Sequence, residues 1–105
     1  MVITKLSIVI PAYNEEKTIH LILDKVKAVE LVMGIQKEVI IVNDCSSDDT
    51  KGAIERYMSE NPSLNIQYFE HEVNQGKGAA IRSGFGYATG EYVVVQDADL
   101  EYDPQ

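Results

Sequence analysis

Two acids separated by one small residue close the apolar run Val93-Val94-Val95-Gln96-Asp97-Ala98-Asp99. A run of this kind reads as a strand buried on both faces of a parallel sheet. That reading puts Asp97 and Asp99 at its carboxyl end, the edge where open α/β sheets take ligands. Carboxylates there are hard oxygen donors suited to Mg2+ or Mn2+, ions that complete their shell with water and substrate phosphates. An Asp-x-Asp pair alone also fits a solvated acidic turn, so the chemistry depends on what else reaches the same edge.

Two further segments carry groups of the right kind. In Pro11-Ala12-Tyr13-Asn14-Glu15-Glu16, Tyr13 offers a flat face for a base and Glu15 an acceptor for base or ribose hydrogens. The same segment also reads as a strand stop at Pro11, an N-cap at Asn14 and an acidic first helical turn at Glu15 and Glu16. In Asn43-Asp44-Cys45-Ser46-Ser47-Asp48-Asp49-Thr50, Asp44 is the first acid beyond an apolar strand and can accept from a base N–H, while Ser46 or Ser47 suits a helix cap. The loop Asn74-Gln75-Gly76-Lys77-Gly78 lacks Walker A spacing and follows an edge strand. Its glycines are expected to allow close helix packing, with Lys77 a candidate helper near phosphates. His20 and His71 have no partner at metal-ligand spacing and are expected at the surface. Cys45 has no histidine partner for nucleophilic work and reads as a small turn residue.

The elements that position these residues follow from hydrophobic periodicity. Strands are expected at Leu6–Ile10, Val39–Val42, around Leu64, Ile66 and Tyr68, and at Tyr92–Val95. Between them lie helices carrying Ile19, Ile22, Leu23 and Val26 (a region ended by Gly34), then Ala53, Ile54, Tyr57 and Met58 (stopped by Asn61-Pro62), then Ala80, Ile81, Gly84 and Ala88. This strand–helix alternation predicts a doubly wound, mainly parallel sheet in three α/β/α layers. With the alternating third strand at one edge, the order is 3-2-1-4. Three loops, Pro11–Glu15, Asp44–Asp49 and Asp97–Asp103, then open onto one crevice. Acids crowded there should raise one another's pKa unless a cation intervenes, and a divalent ion would let the crevice accept a diphosphate.

Composition sets bounds on the partners. The 105 residues, 45% hydrophobic and 25% charged, suit one soluble domain. A formal charge of -8 argues against nucleic acid as a partner, since no basic excess exists to displace counterions. The single Cys45 excludes an internal disulfide and fits a reducing compartment, hence a cytoplasmic location. No bilayer-spanning run or signal peptide is seen. The sequence stops at Asp103-Pro104-Gln105, directly after the acid pair, which is expected of a piece of a longer protein.

Taken together, the segments IVIPAYNEE, IIVNDCSSDDT, NQGKGAAIRSGF and ATGEYVVVQDADLEYDP resemble the amino-terminal half of family 2 glycosyltransferases with the GT-A fold. The resemblance runs from Leu6 to Pro104, and its last segment looks most like that of polyprenyl-phosphate mannosyl- and glucosyltransferases. It implies that residues 1–105 hold a UDP- or GDP-sugar together with Mg2+ or Mn2+. Pro11, Tyr13 and Glu15 would line the nucleoside pocket, with Val42 and Asp44 on its other wall. Asp97, Ala98 and Asp99 would form the DxD-type element, Asp99 and Asp97 binding metal and Ala98 contributing backbone. The acceptor would be a lipid phosphate or a saccharide, bound by a further half together with any catalytic base. The parent enzyme could then work at the cytoplasmic face of a membrane. The chain alone is expected to bind donor, to transfer no sugar, and to self-associate through an unpaired sheet edge, for instance as a homodimer. One departure stands out: many relatives read Asp-Asp-Gly where this chain has Asn43-Asp44-Cys45.

Three other readings fit less well. A nucleotidyltransferase would carry a glycine-rich basic loop after the first strand, where this chain is acidic and without glycine. A receiver-like signalling module would need an acid pair after the first strand and a phospho-accepting Asp after the third, which instead ends in Phe69-Glu70-His71. A dehydrogenase-type domain fails for lack of a glycine fingerprint.

Overall fold

A computed structural model describes residues 5–28 and 35–96. Strand β1 (Lys5–Ala12) leads to helix α1 (Ile19–Ala28), followed by β2 (Gln36–Asn43), α2 (Thr50–Glu60), β3 (Ile66–Glu70), α3 (Lys77–Tyr87) and β4 (Tyr92–Val95). The strands form one parallel sheet in the order β3-β2-β1-β4, as the periodicity predicts. Gly34, expected to end the first helical region, lies outside the described residues.

Side chains on β1 and β2 alternate between two buried faces, as the two-residue strand period requires. Ile8, Ile10, Ala12, Val39 and Ile41 pack against Ile19, Ile22, Leu23 and Val26 of α1 and Ile54 and Tyr57 of α2. Val9, Ile40 and Val42 face the opposite way, onto Ala80 of α3. Helices therefore cover both faces and the architecture has three layers. Gly84 permits the close approach of α3, because a Cβ there would run into the Val9 side chain. Among the described residues, no helix is long and apolar enough to cross a membrane.

β4 departs from expectation. Its residues were expected to be buried on both faces, yet Tyr92, Val93, Val94 and Val95 are 60%, 37%, 46% and 41% exposed. The reason is positional: among the described residues β4 pairs with β1 alone, at one edge of the sheet, and the helices pack over β1 and β2. The apolar pattern marks a strand with two dry faces but not the elements that dry them.

Two helix starts also differ from the sequence reading, and α3 starts where it was expected but uses its glycines differently. α1 begins at Ile19, so Asn14 is not its N-cap and Glu15 and Glu16 are not in its first turn. The chain turns before the helix, with the Thr18 and Ile19 N–H groups donating to the Glu15 carbonyl. The cap of α2 is Asp49, which accepts from the Gly52 N–H, rather than Ser46 or Ser47. Gly76, the residue before α3, has φ +97°, a conformation that suits glycine, and a Cβ on Gly76 would meet nothing. The glycine of this segment that serves close packing is thus Gly84, not Gly76 or Gly78.

At the amino edge of the sheet, Glu38 is 1% exposed and fully engaged. It accepts from the Ser7 hydroxyl at 2.7 Å, the Thr89 N–H at 2.9 Å, the Thr89 hydroxyl at 2.9 Å and the Gln67 amide at 3.1 Å. Lys5 Nζ lies 3.7 Å away. Burial works against the charge, but these donors together hold the Glu38 carboxyl below its ordinary value of 4.5. This one side chain ties β2 to β1, to β3 and to the segment entering β4.

Candidate functional site

β1 and β2 are in register to their last residues, Ala12 opposite Asn43. The ladder continues one step beyond, the Asp44 N–H donating to the Ala12 carbonyl at 2.8 Å and the His71 N–H to the Asn43 carbonyl at 2.9 Å. Loops from three strands are thereby held side by side at the carboxyl edge. They enclose a cavity of about 360 Å³ lined by Pro11, Ala12, Tyr13, Glu15, Asp44, Asn74, Gly76, Lys77 and Ala80.

Of the residues expected at a nucleoside pocket, Pro11, Tyr13, Glu15 and Asp44 are all on this wall. Tyr13 is 47% exposed, leaving a ring face accessible. Val42 is fully buried in the layer between the sheet and α3 and is not among the lining residues. Asp97, Ala98 and Asp99 lie outside the described residues. Among the described residues, no group of three or more His, Cys, Asp or Glu side chains is placed to hold a metal ion.

The two loops after β1 and β2 are stitched together by side chains that sequence reading assigned elsewhere. Asn14 adopts φ +55°, and its side-chain oxygen accepts from the Ser47 N–H at 2.8 Å. The Asn14 N–H donates to Ser46 Oγ at 2.9 Å, and the Glu15 N–H to Thr50 Oγ1 at 2.8 Å. The Glu16 N–H donates to Asp48 at 3.1 Å, while the Asp49 N–H donates to Glu16 at 3.1 Å. Glu15 is oriented further by the Thr18 hydroxyl, which donates to Oε1 at 2.8 Å. These bonds fix the position of the segment that carries Tyr13 and Glu15.

Asp44 is 3% exposed, and its carboxylate is surrounded by donors. Oδ1 accepts from the Gln75 N–H at 2.9 Å and lies 2.8 Å from His71 Nδ1, and Oδ2 accepts from the Gly76 N–H at 2.7 Å. Burial opposes ionisation, but the Gln75 N–H, His71 and the Gly76 N–H outweigh it and hold the carboxyl below its ordinary range. Asp48 is lowered in the same way, burial being outweighed by the Thr50 hydroxyl and the Glu16 and Thr50 N–H groups. Mutual repulsion among crowded acids, expected to raise their pKa values, is therefore not what governs these two. Each carboxylate has its own N–H donors.

Sequence reasoning gave the loop after β3 mainly a packing role, with Lys77 alone as a candidate helper near phosphates. Although β3 is an edge strand, Asn74–Lys77 folds back over Asp44, and Asn74, Gly76 and Lys77 line the cavity. The usable signal was the helix-opening glycine in Asn74-Gln75-Gly76-Lys77, whose backbone N–H groups can hold an anion. His71, expected at the surface, has a side chain only 12% exposed and sits between Asp44 and Ser83. His20 is exposed, as expected.

Cys45 is exposed and has φ +59°, a conformation unfavourable for a residue with a Cβ. Cys45→Gly is expected to stabilise the fold by about 0.5–1 kcal/mol, strain relief outweighing the extra chain entropy of glycine. Urea denaturation checks this, and an unchanged or lowered midpoint would show that the turn is not strained.

The glycosyl transferase family 2 model matches residues 7–105, and the chain belongs to that family. It is 42% identical over 99 residues to a dolichyl-phosphate beta-glucosyltransferase of Trichomonas vaginalis, covering 90% of this chain and 30% of the relative. It is 36% identical over 105 residues to an undecaprenyl-phosphate 4-deoxy-4-formamido-L-arabinose transferase of Sodalis glossinidius, covering 100% of this chain and 32% of the relative. The chain thus spans about a third of the length of these relatives. Among solved structures, a mannosyltransferase from Pyrobaculum calidifontis in complex with GDP-Man and Mn2+ superimposes with TM-score 0.83 at 32% identity, over 90% of this chain and 27% of that one. S. aureus TarS 1-349 in complex with UDP-GlcNAc gives TM-score 0.80 at 32% identity, over 91% of this chain and 27% of that one. The doubly wound sheet is accordingly that of the GT-A glycosyltransferases.

Proposed function

We propose that this chain is the donor-binding part of an inverting glycosyltransferase that takes a sugar from UDP or GDP and, in the whole protein, passes it to a polyprenyl phosphate. The observation that carries the reading is the cavity at the carboxyl ends of β1 and β2, which brings an exposed Tyr13, Glu15, Asp44 and Lys77 to one wall. Structural relatives in complex with GDP-Man and UDP-GlcNAc support a nucleotide-sugar donor. Relatives named for dolichyl and undecaprenyl phosphate support the lipid acceptor over a free saccharide.

In this reading the base lies on Tyr13, and base or ribose N–H and O–H groups donate to Asp44 and Glu15. Asp44 suits that task because it is held as an anion, so it can only accept. Lys77 brings a positive charge to the same wall for the diphosphate. Asp97 and Asp99, with Ala98 between them, would hold Mg2+ or Mn2+. Gln96, the residue before them, donates its N–H to the Val9 carbonyl at 2.9 Å, so the parallel pairing of β4 with β1 extends to Gln96. Two hard carboxylates fit either ion, and a structural relative in complex with GDP-Man and Mn2+ supports a divalent cation. When bound, that cation supplies Lewis-acid stabilisation of charge on the departing diphosphate. The acceptor oxygen forms its bond to the anomeric carbon as the carbon–diphosphate bond breaks, inverting that centre. A phosphate acceptor is already ionised and needs little help from a base.

Amide shift mapping by NMR with a UDP-sugar and a GDP-sugar in Mg2+ tests the site. The largest changes are expected in 12–16, 44–46 and 74–78. Changes confined to α2 or to the Glu38 edge would place the ligand elsewhere and overturn the proposal.

A further inference from the structure

Ser83, His71 and Asp44 form a continuous chain of hydrogen bonds. His71 Nε2 lies 2.8 Å from Ser83 Oγ, and His71 Nδ1 lies 2.8 Å from Asp44 Oδ1. This is the connectivity of a nucleophile, a base and an orienting acid, but the setting rules out hydrolytic chemistry. Ser83 is inside α3, where the helix uses the backbone N–H groups an oxyanion would need. Neither Ser83 nor His71 lines the cavity, whereas Asp44 does.

We propose that His71 and Ser83 are positioning residues that act through Asp44, locking its carboxylate against the Asn74–Lys77 loop and so setting that wall of the cavity. The ligand consequence rests on the donor-site reading above, but the locking itself does not. Asp44 is an anion and only accepts, so the proton between the two must sit on His71 Nδ1. With Nδ1 protonated in the neutral ring, Nε2 accepts from the Ser83 hydroxyl, and α3 sets the orientation of the ring. Among the described residues, Oδ1 then takes two donors, His71 and the Gln75 N–H, while Oδ2 takes one, the Gly76 N–H. The acceptor position left over belongs to Oδ2. His71 thus decides which oxygen a ligand can use, and the loop amides follow the carboxylate. A further bond from the Asn74 side chain to the Asp44 carbonyl at 3.2 Å ties the loop to the same residue.

Imidazole nitrogen NMR on the whole chain is the decisive readout, because free histidine prefers the proton on Nε2. The Nδ1–H form is expected for His71, retained in Ser83→Thr and shifted toward an Nε2–H mixture in Ser83→Ala. An Nε2–H tautomer in the unsubstituted chain would overturn the proposal whether or not nucleotides bind. In calorimetry with UDP and GDP, His71→Ala is expected to weaken binding on the order of tenfold. Tyr57→Phe, which removes a hydroxyl bonded to Asp24 on the other face of the sheet, is expected to leave affinity unchanged. Equal affinity for His71→Ala and the unsubstituted chain would also overturn the proposal. Failure of the unsubstituted chain to bind either nucleotide would count against the donor reading instead, leaving the tautomer to decide the relay.

Discussion

Glu38→Gln is expected to lower the free energy of unfolding by about 2–3 kcal/mol, the range for losing hydrogen bonds to a buried charged acceptor and leaving a donor unsatisfied. A domain of this size is stable by about 5–15 kcal/mol, so the substitution removes a large share of the total. The reason is donor inventory. Ser7, Thr89, Gln67 and Lys5 all present hydrogens to Glu38, and a glutamine amide nitrogen would turn its own hydrogens toward some of them. The effect should depend on pH with a defined sign. The Glu38 carboxyl is lower in the folded chain than its ordinary value of 4.5, so its stabilisation is fully present above that value and lost as pH falls through the folded one. Asp44 and Asp48 are lowered from 3.8 and add to the same acid-side loss. Guanidinium denaturation between pH 7 and pH 3 should therefore show a steeper decline for the unsubstituted chain than for Glu38→Gln. Parallel curves would mean that Glu38 is not held as a carboxylate by these donors.

The second large effect separates two acids by what each recognises. Asp44→Ala is expected to weaken uridine and UDP, or guanosine and GDP, alike, on the order of 10–100-fold, because it removes an ionised acceptor from the base. Asp99→Ala is expected to leave the nucleosides untouched and to abolish the metal-dependent part of diphosphate binding. Calorimetry on both variants with nucleoside and nucleotide checks this. Indistinguishable profiles would contradict the division of base and metal roles between the second and fourth strands.

What the sequence made legible was periodic. The strand order, the three layers and the edge position of β3 follow from where apolar residues recur, and Tyr92–Val95 was located to the residue. Pro11, Tyr13, Glu15 and Asp44 were placed at one crevice because strand ends in a parallel sheet share an edge. What stayed hidden was contact between segments far apart in the chain. Asn14 looks like a helix cap by its neighbours, yet its side chain serves Ser47, and Glu38, just before the apolar run Val39–Val42, carries no pattern that marks it as the hub of a buried network. His71 had no partner within ligand spacing, and its partners Asp44 and Ser83 come from another strand and another helix. The motif match puts Val42 on a pocket wall, and its side chain lies in the layer beneath α3.

The central claim is that the acidic carboxyl edge of this sheet takes a nucleoside diphosphate with a divalent cation. With a formal charge of -8, the chain should repel a bare diphosphate and accept one whose charge is screened. Isothermal titration of the chain with UDP and with GDP, in Mn2+ and then in EDTA, measures this directly. Saturable binding of at least one of the two is expected in Mn2+, with an affinity at least tenfold weaker in EDTA. Equal affinity in EDTA, or no binding of either nucleotide in Mn2+, would contradict it.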